Sequence, residues 1–221
     1  MMIRQLDIKI NKFGMMSRGA FHPQSGDGAP ENTATLVMIG NAGPNMWRMF
    51  SEVEADGPDP LDTWTRKVLD PIAACLEARA VYPFDGPPHY PFQRWAMRAD
   101  DVSPSPIGPL VHPVYGMWHA YRAAFLFEDR LKFQEITRTP PPCDSCDSKP
   151  CLNTCPVSAF TPGQYDVPVC RSHIASDAGW DCLDNACLAR RACPVGREYV
   201  YDSPQASFHM HHFLHALGDA G

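Results

Sequence analysis

Eight of the chain's nine cysteines fall between Cys143 and Cys193, in two groups of four that each end in Cys-Pro. The first group is Cys143, Cys146, Cys151 and Cys155, followed by Pro156; the second is Cys170, Cys182, Cys187 and Cys193, followed by Pro194. Short gaps let one loop present three thiolates to a common centre, and a fourth must then arrive from elsewhere in the chain. Two [4Fe-4S] clusters need such a ligand set; structural zinc and a disulfide framework are the competing uses of eight cysteines.

The order resembles that of two-cluster bacterial ferredoxins, in which the cysteine before proline ligates the other cluster because the proline turns the chain away from its own loop. On that pattern Cys143, Cys146, Cys151 and Cys193 hold one cube, and Cys170, Cys182, Cys187 and Cys155 the other. The gaps depart from the standard bacterial run in both halves. Zinc leaves two Cys-Pro endings in interlocked order unexplained. Disulfides require an oxidising compartment, whereas residues 1–20 scatter Arg4, Lys9, Lys12 and Arg18 with no apolar segment before a cleavage site. A cytoplasmic location is therefore expected. Cys75 stands apart and reads as a buried core thiol.

A chain of 221 residues can build one substantial core plus a small cofactor-held domain. The net charge of -6, with no run of lysine or arginine, argues against nucleic acid as a partner. No apolar stretch approaches the length of a membrane span, so no membrane partner is expected. Prolines concentrate at 83–91, 104–113 and 140–142. The last of these marks a linker, dividing the chain into domains 1–137 and 138–221.

The elements that must position the cysteines and their surroundings read as mixed α and β. Residues 35–40 form a buried strand, and the turn Asn41-Ala42-Gly43-Pro44 starts a helix with Trp47, Phe50 and Val53 on one face. Residues 60–69 and 71–79 are expected as two helices, each opened by a proline, and 81–84 as a short strand. Residues 117–128 form the longest strand, with Trp118, Ala120 and Arg122 on one face. In the tail, Ser203 starts a helix that Gly218 stops, with Ala206, Met210, Phe213, Leu214 and Leu217 on one face. His211 and His215 then fall on its solvent side, which favours a solvated face over a metal site.

The run from Ile107-Gly108 through His112-Pro113, Gly116, Trp118 and Ala120 to Arg122 resembles CblC-type cobalamin-processing chaperones, as does Ala20-Phe21-His22-Pro23 ahead of Thr35-Leu36-Val37. That resemblance implies an α+β, nitroreductase-like sandwich for domain 1–137. The chain is also similar in overall order to epoxyqueuosine reductases, which join a cobalamin-binding domain of this broad fold to a two-cluster ferredoxin domain. Their Asp-x-x-Pro motif, whose aspartate is the proposed proton donor, is matched by Asp85-Gly86-Pro87-Pro88. Their lysine after Ile-Gly is Pro109 here, and the helical repeats that bind tRNA in that family are not seen in this sequence.

The resemblance thus implies Asp85 as a catalytic acid and His112, Trp118 and Arg122 as corrinoid contacts. Each has a plainer role: turn carboxylate, backbone-bonded histidine, packing aromatic, and arginine paired to a core carboxylate. Cobalamin is the implied cofactor of the N-terminal domain, with flavin the lesser alternative. Two functions follow. One is a corrinoid-dependent oxidoreductase or cobalamin-processing protein fed by two clusters, with a ferredoxin or flavodoxin reductase system as electron donor and a small-molecule substrate. The other is a ferredoxin-like carrier whose N-terminal domain docks a partner and binds no cofactor.

Overall fold

The computed structural model describes residues 2–54, 57–161 and 163–216. They form two compact units, one from residues 1–101 and 119–138, the other from 102–118 and 139–221. The chain crosses near the expected linker. It also crosses at 101–102 and 118–119, so residues 102–118, assigned by sequence to the N-terminal domain, pack with the cysteine region.

The first unit contains α1 (Met2–Ile10), β1 (Met16–Phe21), β2 (Thr35–Ala42), α2 (Asn45–Ser51), α3 (Pro60–Cys75), β3 (Arg79–Val81) and α4 (Phe92–Ala99). Its last strand, β6 (His119–Phe127), follows the pair β4 (Ser103–Pro104) and β5 (Leu110–Val111) of the second unit. Among the described residues the sheet runs β1-β2-β6-β3, with every pairing antiparallel. β2 is buried along its whole length, its apolar run Leu36–Ile39 bounded by buried Thr35 and Asn41, and it continues through Asn41 and Ala42, which were expected to begin a turn. β6 is half-buried over His119–Arg122 and buried from Ala123 to Phe127, so its polar end lies at the margin of the core.

Two helices differ from expectation. α3 is continuous through Pro71, whose missing N–H falls on the exposed side of the helix, where water can satisfy the Lys67 carbonyl. Its buried stripe runs through Leu69, Ile72, Ala73 and Leu76, which leaves Cys75 off the stripe and exposed rather than in the core. α2 buries Met46 and Phe50, while Val53 follows the helix end and is exposed.

Arg18 and Asp100 make a buried ion pair in the first unit, with Nη2 to Oδ2 at 2.7 Å and Nε to Oδ2 at 2.9 Å. Tyr121 donates its hydroxyl to the same oxygen at 2.8 Å, and Arg138 donates to the Asp100 carbonyl at 2.5 Å. Burial is the largest cause of the rise in the Tyr121 pKa, so the phenol stays a donor to the carboxylate. Removing one partner strands a buried charge, so Asp100→Ala is expected to cost roughly 3–5 kcal/mol in urea unfolding. The double variant Arg18→Met/Asp100→Leu should recover most of that loss. A double variant no more stable than Asp100→Ala would show that the pair's packing, not its charge, matters.

The second unit contains β4 and β5, then α5 (Pro150–Asn153), β7 (Phe160–Thr161), β8 (Gln164–Tyr165), α6 (Val167–Ile174), α7 (Trp180–Asn185), α8 (Leu188–Arg191) and α9 (Ser203–Ala216). Asp166 caps α6 by accepting from Val169 N–H at 3.0 Å. α9 lies along α7, tied by Ser203 to Asn185 at 2.8 Å and Ser207 to Asp184 at 3.2 Å. It buries Gln205 and Ala206 and leaves His211 and His215 exposed. Leu217 and Gly218 lie outside the described residues.

Residues 102–118 join this unit through a close backbone approach. Gly116 and Gly196 both have left-handed φ, +57° and +75°. A Cβ on Gly116 would stand 2.1 Å from the Val195 carbonyl oxygen, and one on Gly196 2.3 Å from that of Tyr115. Only glycine at both positions lets the two segments touch.

Candidate metal centre

The chain order of the cysteines is not their order in space. Cys143, Cys146, Cys151 and Cys193 line one cavity of about 470 Å³, together with Val111, Met117 and Lys149. Cys155, Cys170, Cys182 and Cys187 line a tighter one of about 20 Å³, walled by Phe160, Ile174, Leu188, Ala189 and Met210. The partition is the interlocked one described above. All nine cysteines are free thiols.

Two four-residue helices produce the exchange. α5 carries Cys151 into the first group, and Cys155 follows it into the second. α8 has Cys187 of the second group at its start, and Cys193 of the first just after its end. The helices pack against each other, over a core of Ile107, Val111, Met117, Cys151, Phe160 and Ala189. Helices this short have little stability of their own, so packing of their buried faces must hold them.

In the first group the Cys146 N–H donates to the Cys143 carbonyl at 3.4 Å, closing a turn. Lys149 is left-handed at φ 38°, and its Nζ donates back to the carbonyls of Cys143 at 3.0 Å and Cys146 at 3.2 Å. Burial raises the pKa of Cys143 most, and the neighbouring Cys193, Cys151 and Cys146 add to the rise while Lys149 opposes it. Burial likewise leads the rise at Cys151, with Cys193 and Cys146 behind it. These are thiols that repel one another as thiolates and need a cation among them to ionise together.

In the second group burial pushes Cys187 up to about 11, opposed by the backbone N–H groups of Arg190 and Ala189 at the start of α8. Cys170 is raised by burial first; the Tyr165 hydroxyl, donating to its sulfur, works the other way. Tyr165 stacks on Phe160, with ring centroids 4.7 Å apart. Among the described residues, no group of three or more His, Cys, Asp or Glu side chains is placed to hold a metal ion. Four thiols line each cavity, and Asp147 of the first is the one carboxylate in either lining among the described residues.

The remaining sequence candidates divide between the units, Asp85 and Arg122 in the first, His112 and Trp118 in the second. Both oxygens of Asp85 are engaged, Oδ1 by Arg66 Nη2 at 2.5 Å and Oδ2 by Tyr82 N–H at 2.8 Å. The Arg66 guanidinium in turn lies over the rings of Tyr82 and Phe84. His112 pairs with Gly116 through both backbone groups, and its Nδ1 accepts from Val114 N–H at 3.0 Å and Tyr115 N–H at 3.2 Å. A neutral imidazole so held carries its proton on Nε2. Trp118 is 1% exposed, with the Arg190 guanidinium 4.3 Å over its ring and Tyr201 against its edge. Its ring is taken up by packing within the second unit. Arg122 sits at the half-buried, polar end of β6.

Sequence reasoning missed Lys149, Tyr165 and Met210, which surround the two cysteine groups. Position was the available signal: each lies close in sequence to a cysteine or on the predicted apolar face of the tail helix.

No protein-family model matches the chain, and no curated protein does. Among solved structures it is similar to the B12-trafficking protein CblC of C. elegans, at 15% identity and a TM-score of 0.54 over 95% of this chain and 90% of that one. Epoxyqueuosine reductase from Streptococcus thermophilus superposes with a TM-score of 0.52 and 13% identity, over 89% of this chain and 67% of that one. Another epoxyqueuosine reductase, solved with a modified tRNA stem loop, reaches a TM-score of 0.49 at 15% identity, over 94% of this chain and 69% of that one. At that distance its tRNA carries nothing over, and the charge argument against nucleic acid stays a sequence expectation. No helix among the described residues is long and apolar enough to cross a membrane. The chain has a mixed α/β fold, the one it shares with CblC and epoxyqueuosine reductase.

Proposed function

We propose that the second unit holds two [4Fe-4S] clusters, and that they serve a corrinoid bound through the first unit's nitroreductase-like sandwich, in a corrinoid-dependent reduction or in cobalamin processing. The interlocked division of eight thiols between two cavities carries the cluster part of this reading. A single zinc would draw four thiolates to within about 2.3 Å of one point; the first cavity has room for a larger group, while the second, at about 20 Å³, is closed down around its four thiols. The fold shared with a B12-trafficking protein supports the corrinoid part.

When bound, the clusters supply one-electron transfer and the corrinoid supplies a cobalt nucleophile. The chain's own residues then have defined work. Cys143, Cys146, Cys151 and Cys193 hold one cluster, and Cys155, Cys170, Cys182 and Cys187 the other. Phe160, Ile174, Leu188 and Met210 keep water from the second. His112, whose Nδ1 is held by two backbone N–H groups, would not offer that nitrogen to cobalt. Asp85 would deliver a proton from Oδ1 only after Arg66 moves off it. A soluble ferredoxin or flavodoxin reductase system is the fitting donor, and the substrate is a small molecule.

The test is anaerobic gel filtration with added hydroxocobalamin, read by visible spectrum. The red chromophore is expected to elute with the brown cluster absorbance. If the brown protein elutes without it, the corrinoid reading falls and the electron-carrier reading replaces it.

A further inference from the structure

The Lys149 side chain folds back over the loop that carries Cys143 and Cys146. Its Nζ is bound to both of their carbonyls, at 3.0 and 3.2 Å, and the residue lines the first cavity. Among the described residues, the lining of the second cavity is largely apolar, with His173 its one basic side chain; beyond the lining Arg191 acts on Cys182, but Asp181, paired with it at 2.5 Å, acts the other way. The two four-thiol groups therefore sit in different electrostatic surroundings. A reduced cluster carries one more negative charge than an oxidised one, so a fixed cation beside it stabilises the reduced form, and burial among apolar side chains destabilises it.

Resting on the cluster reading above, we infer that Lys149 sets the first cluster's potential above the second's, making the first cluster the one that fills first when single electrons enter. The left-handed backbone at Lys149 supports a role for this side chain. A non-glycine residue at φ 38° is held there by its surroundings, and here the side chain closes on the two carbonyls just upstream. The same two bonds that brace the ligand loop bring the ammonium to the cavity wall. The loop's geometry and the cluster's potential are thus coupled to one residue.

The test separates those roles with two variants, each reduced stepwise by dithionite in an anaerobic titration followed by electron paramagnetic resonance. Lys149→Gln keeps a donor for the carbonyls and loses the charge; Lys149→Arg keeps both. In Lys149→Gln the ratio of reduced to oxidised first cluster at a fixed potential is expected to fall about tenfold, a shift of about 59 mV for one electron, with the second cluster unmoved. Lys149→Arg should restore the wild-type value. Full iron content with both midpoints unchanged in Lys149→Gln would overturn the inference while leaving the clusters in place. A wild-type protein with no iron would overturn the cluster reading itself. A Lys149→Gln protein that loses the first cluster would assign the residue to loop bracing alone, and the inference about potential would be abandoned.

Discussion

Cys151→Ser is expected to lower the iron content of the anaerobically purified protein from about eight per chain to about four. Cys151 is 8% exposed, sits inside α5, and lines the first cavity only. A serine hydroxyl there is a far poorer ligand than a thiolate, and its burial makes ionisation harder still. The second cavity keeps all four of its thiols, so the loss should stop at half. Cys193→Ser carries the interlocked arrangement further: although it ends the second sequence group, it should remove the same cluster as Cys151→Ser, while Cys155→Ser removes the other. Iron and acid-labile sulfide assays give the count, and electron paramagnetic resonance says which cluster is left. Cys75→Ser is the control, since Cys75 is exposed at the end of α3 in the other unit. Two zinc ions and no iron in the wild-type protein would defeat the assignment outright.

The cysteines were legible because ligand spacing is a local property that survives without any knowledge of the fold. The strands over β2 and β6 were legible for a related reason: a central strand carries an apolar run, and Leu36–Ile39 and Ala123–Phe127 are such runs. α4 was hidden. Its buried residues Phe92, Trp95, Ala96 and Ala99 have helical spacing, but the proline-rich stretches on either side read as continuous loop. Pro71 made α3 look like two helices, when the exposed side of the helix could tolerate it. What the sequence could not carry was the placement of residues 102–118. Their assignment to the second unit joins two glycines eighty residues apart in the chain, touching through their backbones, to the packing of Ile107, Val111 and Met117 on Cys151, Phe160 and Ala189, and nothing in composition or periodicity marks either contact. That placement also divides the site candidates between the units, with His112 and Trp118 in the second and Asp85 and Arg122 in the first.

Gly196→Ala should therefore damage the first cluster from a position that ligates nothing. Gly196 follows Cys193, Pro194 and Val195 directly, and Pro194 and Val195 line the first cavity beside Cys193. An alanine Cβ would meet the Tyr115 carbonyl carbon and oxygen at 2.3 Å each and the Gly116 N at 2.5 Å, all backbone atoms that cannot rotate aside. The left-handed φ of +75° alone costs an L-residue about 1–2 kcal/mol. Relieving the clash means moving the 193–196 segment away from residues 112–116, and Cys193 moves with it. The expected result is a lowered thermal midpoint together with iron near four per chain and the second cluster's signal intact. Gly163→Ala supplies the comparison, because Gly163 has nearly the same φ, +77°, but nothing within 4 Å of its would-be Cβ. It should lose stability by the backbone term and keep both clusters. Equal, small losses in the two variants with full iron in each would mean that the glycine contact does not hold Cys193 at the cavity.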